Sequence, residues 1–170
     1  MGADAGLHEV TRTVRLAAPA SAVWDVLTRP AEVMAALTDP DSGVRLLSGP
    51  AVMAPGTATE LEVTGFGLPQ RVTYEVAALT PPAGDRPGDA AGTFTEVMAR
   101  GPLNRFDSVH TVTPLDLGGG TAGCEVTDAF VFAPPGGLLG FVLTADRISN
   151  ELAAGLRYRH DALRARFGAG

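Results

Sequence analysis

The sequence predicts an α+β fold, with a curved antiparallel sheet of about seven strands around a long C-terminal helix and two short helices after the first strand. Three observations point there. Residues 93–132 hold three alternating stretches separated by Gly-rich turns. The apolar stripe Ile148, Leu152, Leu156, Leu163 has helical spacing and ends near Phe167. Polar residues also recur on faces that are otherwise apolar: His110 alternates with Phe106, Ser108 and Val112, Asp128 with Cys124, Val126, Phe130 and Phe132, and Arg159 stands within the helical stripe. An unpaired buried charge costs several kcal/mol, to order of magnitude. Three such groups aimed inward imply that sheet and helix enclose a cavity.

Each element has its own local signal. Residues 10–17 alternate Val10, Arg12, Val14, Leu16 with Thr11, Thr13, Arg15, as a strand does. Pro19 and Ser21 open a helical stretch, Ser21 being the expected N-cap, and Pro30 divides it into two short helices. Strands are expected at residues 44–47, 58–64 and 70–79, the last two separated by the turn-like Gly65-Phe66-Gly67-Leu68-Pro69. Residues 81–92, rich in Pro, Gly, Asp and Ala, read as an exposed loop. Strands at 93–100, 105–114 and 121–132 form a meander through Gly101-Pro102 and Gly118-Gly119-Gly120. A short apolar stretch after Pro134-Pro135-Gly136-Gly137 leads into the long helix. An antiparallel meander buries one face, and only this last helix is long enough to cover it.

Size and composition narrow the function. At 170 residues the chain is expected to be a single domain spanning 1–170. A chain of that size buries about 70% of its unfolded surface and needs no disulfide or metal staple. All 13 basic residues are Arg, which removes Schiff-base lysine chemistry. A net charge of −6 argues against nucleic acid as a partner. With Cys124 alone, no intramolecular disulfide or CxxC site is possible. No apolar run approaches the roughly 18 residues of a membrane span, and no secretory leader is evident before residue 10. A cytoplasmic protein without stable membrane insertion is expected, as monomer or homodimer, with no cofactor and no metal.

The order of elements resembles the helix-grip fold of the START-like SRPBCC superfamily, which includes polyketide cyclases, aromatases and lipid carriers. The stretch from Ala18-Pro19-Ala20-Ser21 to Trp24-Asp25-Val26-Leu27 is similar to that family's opening strand-to-helix passage. Further similarity lies in Phe94-Thr95-Glu96, in Arg100-Gly101-Pro102-Leu103 with Phe106 and His110, in Thr127-Asp128 with Phe132-Ala133-Pro134-Pro135-Gly136, and in Arg157-Tyr158-Arg159. One branch often carries polar residues where this chain has Met98 and Ser108, and Tyr where it has Phe132. The resemblance therefore extends to His110, Asp128 and Arg159 and not to a fuller polar set. It implies a hydrophobic small-molecule ligand and a cyclase, dehydratase or carrier role.

A hairpin centred on Gly119 sets His110 opposite Asp128, Val112 opposite Val126 and Phe106 opposite Phe132. Opposed side chains on one face lie within reach of an imidazole–carboxylate hydrogen bond. A second hairpin centred on Leu103 places Glu96 beside His110. A carboxylate that holds one imidazole nitrogen fixes the tautomer and raises basicity at the other. His110 and Asp128 are thus the expected catalytic pair for proton removal beside a carbonyl or for dehydration. Arg159 would hold a ligand oxygen. The plain alternative is a satisfied buried pair that fixes strand register.

Around the pair, Glu96, Tyr74, Met98, Phe106, Ser108, Phe130 and Leu156 are the expected ligand-binding residues. Glu96 could equally pair Arg100 or Arg105, and Tyr74 could be core. Met53, Phe66 and Phe94 also suit an adaptable apolar pocket, while Trp24 and Cys124 read as core and Tyr158 as packing beside the stripe. His8 and His160 are read as solvated, His160 falling outside the apolar stripe. No Ser-His-Asp arrangement is visible. Gly65-Phe66-Gly67 and the 81–92 loop are expected near the cavity mouth. The resulting expectation is a protein that encloses a polyketide- or isoprenoid-like compound and promotes cofactor-independent cyclisation or dehydration. The alternatives are a non-catalytic carrier and an interaction protein whose cavity is vestigial.

Overall fold

The computed structural model describes residues 6–64 and 68–170. Strands β1 (His8–Leu16), β2 (Val44–Ser48), β3 (Ala58–Val63), β4 (Gln70–Thr80), β5 (Gly92–Arg100), β6 (Arg105–Asp116) and β7 (Ala122–Ala133) form one antiparallel sheet in the order β1-β7-β6-β5-β4-β3-β2. Helices α1 (Ala20–Leu27) and α2 (Pro30–Ala36) follow β1, and α3 (Gly137–Val142) precedes the long α4 (Ala145–Phe167). The expected α+β helix-grip architecture is the one observed. The apolar stretch before the long helix forms a helix of its own, α3, with Leu138 and Phe141 exposed.

Two local features set the sheet's shape. Register shifts interrupt the β4–β5 pairing between Thr73 and Tyr74 and between Val76 and Ala78, and β2–β3 between Leu46 and Ser48. Such bulges bend a strand and raise its twist, and here they fall beside Tyr74 and Glu96, on the concave face. At the β6–β7 hairpin, Gly118, Gly119 and Gly120 have φ of 109°, 63° and 81°. A run of left-handed residues is open only to glycine, so this turn fixes the register of the longest strand pair.

That register is the expected one, with His110 opposite Asp128, Val112 opposite Val126 and Phe106 opposite Phe132. The β5–β6 register differs. Glu96 stands opposite Ser108, and Phe94 opposite His110, because the connection is centred on Pro102 rather than Leu103. A two-residue shift preserves the facing of every side chain, so Glu96 still points inward.

The N-terminus of α1 is not capped by Ser21. Pro19 occupies the N-cap and offers no side-chain hydrogen bond. Asp85, from the loop between β4 and β5, instead accepts from the Ser21 backbone N–H (2.7 Å) and hydroxyl (2.8 Å). The loop is largely exposed but anchored to α1. Thr144 caps α4 by accepting from Arg147 N–H at 3.3 Å.

The core divides into two apolar clusters. One joins α1, the C-terminal half of α4 and one end of the sheet through Val23, Leu27, Val112, Val126 and Leu163. The other gathers Phe106, Phe132, Leu143 and Ile148 at the opposite end. Along β6 and β7 the boundary between them falls at His110 and Asp128.

Candidate functional site

Asp128 is the centre of the polar boundary. It is fully buried, and both carboxylate oxygens are engaged. Oδ1 lies 2.5 Å from His110 Nδ1, and Oδ2 lies 2.6 Å from His160 Nε2 and 3.5 Å from Arg159 Nε. Burial alone would push this carboxyl up. The Arg159 guanidinium and the hydrogen bonds from His110 and His160 outweigh burial and hold it well below the usual carboxylate range. An ionised carboxylate only accepts hydrogen bonds. The proton on His110 is thereby assigned to Nδ1, and that on His160 to Nε2.

With Nδ1 bound to Asp128, Nε2 is the ring nitrogen of His110 left to meet other groups. Ser108 Oγ lies 3.2 Å from it, and Glu96 Oε2 lies at 3.7 Å, outside hydrogen-bond reach. The ring is held by stacking on Phe94 (centroids 4.5 Å apart, planes 25° apart), with Phe130 edge-on at 6.0 Å. Trp24 supports Phe94 from behind at 5.5 Å.

Nε2 faces a half-open cavity of about 240 Å³. Its floor is Ser108, His110, Glu96 and Tyr74 on the sheet with Phe94, Phe106 and Phe130. Leu27, Val33 and Met34 of α1 and α2 form one wall, and Leu152 and Arg159 of α4 another. Arg159 brings two donors, Nε and Nη2, which are buried and lack a hydrogen-bond partner. Leaving such a donor unpaired costs about 1–3 kcal/mol. Burial, with Glu96 adding to it, pushes the Tyr74 hydroxyl up, so it stays protonated. A second hollow of about 330 Å³ abuts the first, sharing Met34, Thr38, Val44 and Leu46, with Arg45 and Tyr158 on its outer side.

Of the residues expected from sequence, the structure gathers His110, Arg159, Glu96, Tyr74, Phe106, Ser108 and Phe130 on the cavity wall, together with Met53 and Phe94. Asp128 stands directly behind His110. Two expected residues do not line this cavity. Met98, opposite Tyr74 on β4, packs with the Phe106–Phe132 cluster. Leu156 is buried but does not line the cavity. The 81–92 loop contributes no wall residue, since Asp85 ties it to α1. Phe66 and the rest of Gly65-Phe66-Gly67 lie outside the described residues. Cys124 is fully buried and its thiol is pushed up to about 11, chiefly by burial and then by Asp85, consistent with a structural role. His8 is half-buried and stacks on Phe132 at 5.4 Å.

The main correction is His160, which is buried (1% exposed) and bonded to Asp128 rather than solvated. Its spacing carries the signal. It follows Leu156 by four residues and precedes Leu163 by three, so it lies one turn from each. A helix gripped by a curved sheet buries a wider arc than the a/d-like stripe alone. Alternation set Ser108 on the same face as His110, but the contact of its hydroxyl with Nε2 is shown only by the structure.

Fold and site together define a helix-grip protein whose apolar cavity has one polar corner. The chain belongs to the polyketide cyclase / dehydrase and lipid transport family, which matches residues 8–168. Among solved structures it is similar to the Zhui aromatase/cyclase from Streptomyces sp. R1128, with 19% identity, a TM-score of 0.61, and 94% of this chain and 93% of that chain covered. It is also similar to a START superfamily protein from Mycobacterium smegmatis (15% identity, TM-score 0.62, coverage 94% and 97%). A protein from Thermus thermophilus aligns at 12% identity with a TM-score of 0.58 over 94% and 99% of the two chains. At these identities the likeness is one of fold. No curated protein matches the chain at a significant level. Among the described residues no helix is long and apolar enough to cross a membrane.

Proposed function

We propose that this protein binds a small, mainly apolar molecule bearing a carbonyl group, polyketide-like in character, and promotes its cyclisation or dehydration without a cofactor. One observation carries the reading: His110 has its Nδ1 fixed on Asp128 while its Nε2 opens onto an aromatic-walled cavity. In that state Nε2 takes a proton from carbon beside a carbonyl. Once protonated, it returns the proton to a departing hydroxyl, so one group serves both halves of an aldol dehydration. The Arg159 donors that lack a hydrogen-bond partner are suited to hold the enolate oxygen that develops between the two steps. Asp128 and His160 act behind His110 as positioning residues.

The family description and the fold shared with an aromatase/cyclase support this reading. The void and these Arg159 donors count against a vestigial cavity. The cavity volume, about 240 Å³, suits a compact ring system better than a two-chain lipid. The test is to incubate the protein with linear and polycyclic polyketide-type compounds and weigh what it releases. A compound lighter by one water, formed about 100-fold or more slowly by His110→Ala, is the expected result. Release of every bound compound at its original mass would overturn catalysis and leave a carrier.

A further inference from the structure

We propose that Ser108, His110 and Asp128 form an acyl-transfer triad, giving this protein a hydrolase activity toward small apolar or aromatic esters and thioesters. Connectivity is the first argument. Asp128 Oδ1 binds His110 Nδ1 at 2.5 Å, and His110 Nε2 lies 3.2 Å from Ser108 Oγ. This is the relay in which a carboxylate orients an imidazole and the imidazole takes the hydroxyl proton. Asp128 is locked by His160 on its other oxygen, so the imidazole has one orientation. Glu96, the other acidic group facing Nε2, lies at 3.7 Å and leaves Ser108 as the hydrogen-bonded partner.

Access and charge stabilisation are the second argument. Ser108 lines the cavity, so its hydroxyl can meet a bound acyl carbon although its solvent exposure is only 2%. On another wall of the same cavity Arg159, ion-paired with Asp128 through Nε, offers buried N–H donors with no hydrogen-bond partner, the kind of group that stabilises a tetrahedral oxyanion. The aromatic rings of Phe94, Phe106 and Phe130 select a flat or compact acyl group.

The balanced sequence has two halves. Ser108 Oγ bonds to the acyl carbon as its proton passes to His110 Nε2. The resulting oxyanion collapses, the bond to the leaving alcohol or thiol breaks, and His110 gives that group the proton. Water then attacks the acyl-serine and loses a proton to His110. The Oγ–acyl bond breaks, releasing a carboxylic acid, and Ser108 regains its proton.

The experiment uses the full chain with phenylmethanesulfonyl fluoride, whose sulfur bonds to a serine oxygen as fluoride leaves, and with p-nitrophenyl acetate. The expected result is one phenylmethanesulfonyl group per chain by intact mass, placed on Ser108 by peptide mapping. Esterase turnover should fall about 100-fold or more in Ser108→Ala and in His110→Gln. An unlabelled wild-type chain, a label on another residue, or equal ester turnover by Ser108→Ala with an unchanged melting curve would each overturn the triad. The labelling result stands on the wild-type protein alone, so a variant that unfolds does not blunt the test. No ring closure is involved, so loss of the cyclisation reading would leave this result untouched.

Discussion

At the scale of single residues, the site is governed by how one buried charge is balanced. Asp128 has no access to water, and its ionised form survives because Arg159 and two imidazole N–H groups replace hydration. A carboxyl held below its ordinary range of about 3.9 adds stability that is fully present above that pH and is lost as pH falls towards the folded value. Removing one member of a buried ionic network costs about 3 kcal/mol. Asp128→Asn should therefore be less stable than the wild type at pH 7 by about that amount. The gap should narrow below about pH 4, where the wild type alone gives up its ionic contribution. Urea unfolding at the two pH values checks this, and a gap that widened on acidification would contradict an ionised Asp128.

At the scale of elements, the site depends on how strands and helices are tied to one another. The three left-handed glycines set the β6–β7 register, and a one-residue slip would send His110 and Asp128 to opposite faces of the sheet. The β4–β5 register shifts fall beside Tyr74 and Glu96, on the concave face. Helix α1, which carries Trp24 against Phe94 and so supports the His110 ring, receives its cap from a distant loop. Asp85→Ala should cost about 1 kcal/mol, the usual worth of a helix N-cap. The measurement is the shift in the denaturation midpoint of Asp85→Ala against Asp85→Asn, which keeps an acceptor oxygen. Equal loss in both variants would point to the charge rather than the cap.

At the scale of the whole molecule, the sheet grips α4 without filling the space between them. The cavity adjoins a second hollow through Met34, Thr38, Val44 and Leu46, contributed by α2, the segment after it and β2. These residues line both hollows and so stand between the interior and Tyr158 on the outer side. Met34→Trp should obstruct that passage and weaken binding of 1-naphthol about tenfold, equivalent to roughly 1.4 kcal/mol. Met34 is only half-buried, so the fold should be little affected. Calorimetric titration against the wild type reads the effect. Unchanged affinity and association rate would show that ligands reach the cavity elsewhere.

Much of this molecule follows from local pattern, and its site follows only in part. Period-two alternation, helical spacing and turn glycines determined the succession of strands along the chain, the long C-terminal helix and the facing of His110 against Asp128, because these depend on residues close in sequence or joined by one tight turn. Arg159 was legible for a similar reason, as a charge inside an apolar stripe. The tertiary structure alone decided the β5–β6 register, the packing of Met98 into the Phe106–Phe132 cluster, and the capping of α1 by Asp85. It alone also showed His160 as the second partner of Asp128, since the arc of a helix that becomes buried is set by the curvature of the sheet around it. The physical divide is range: periodicity records which way a side chain points, and only packing determines what it meets.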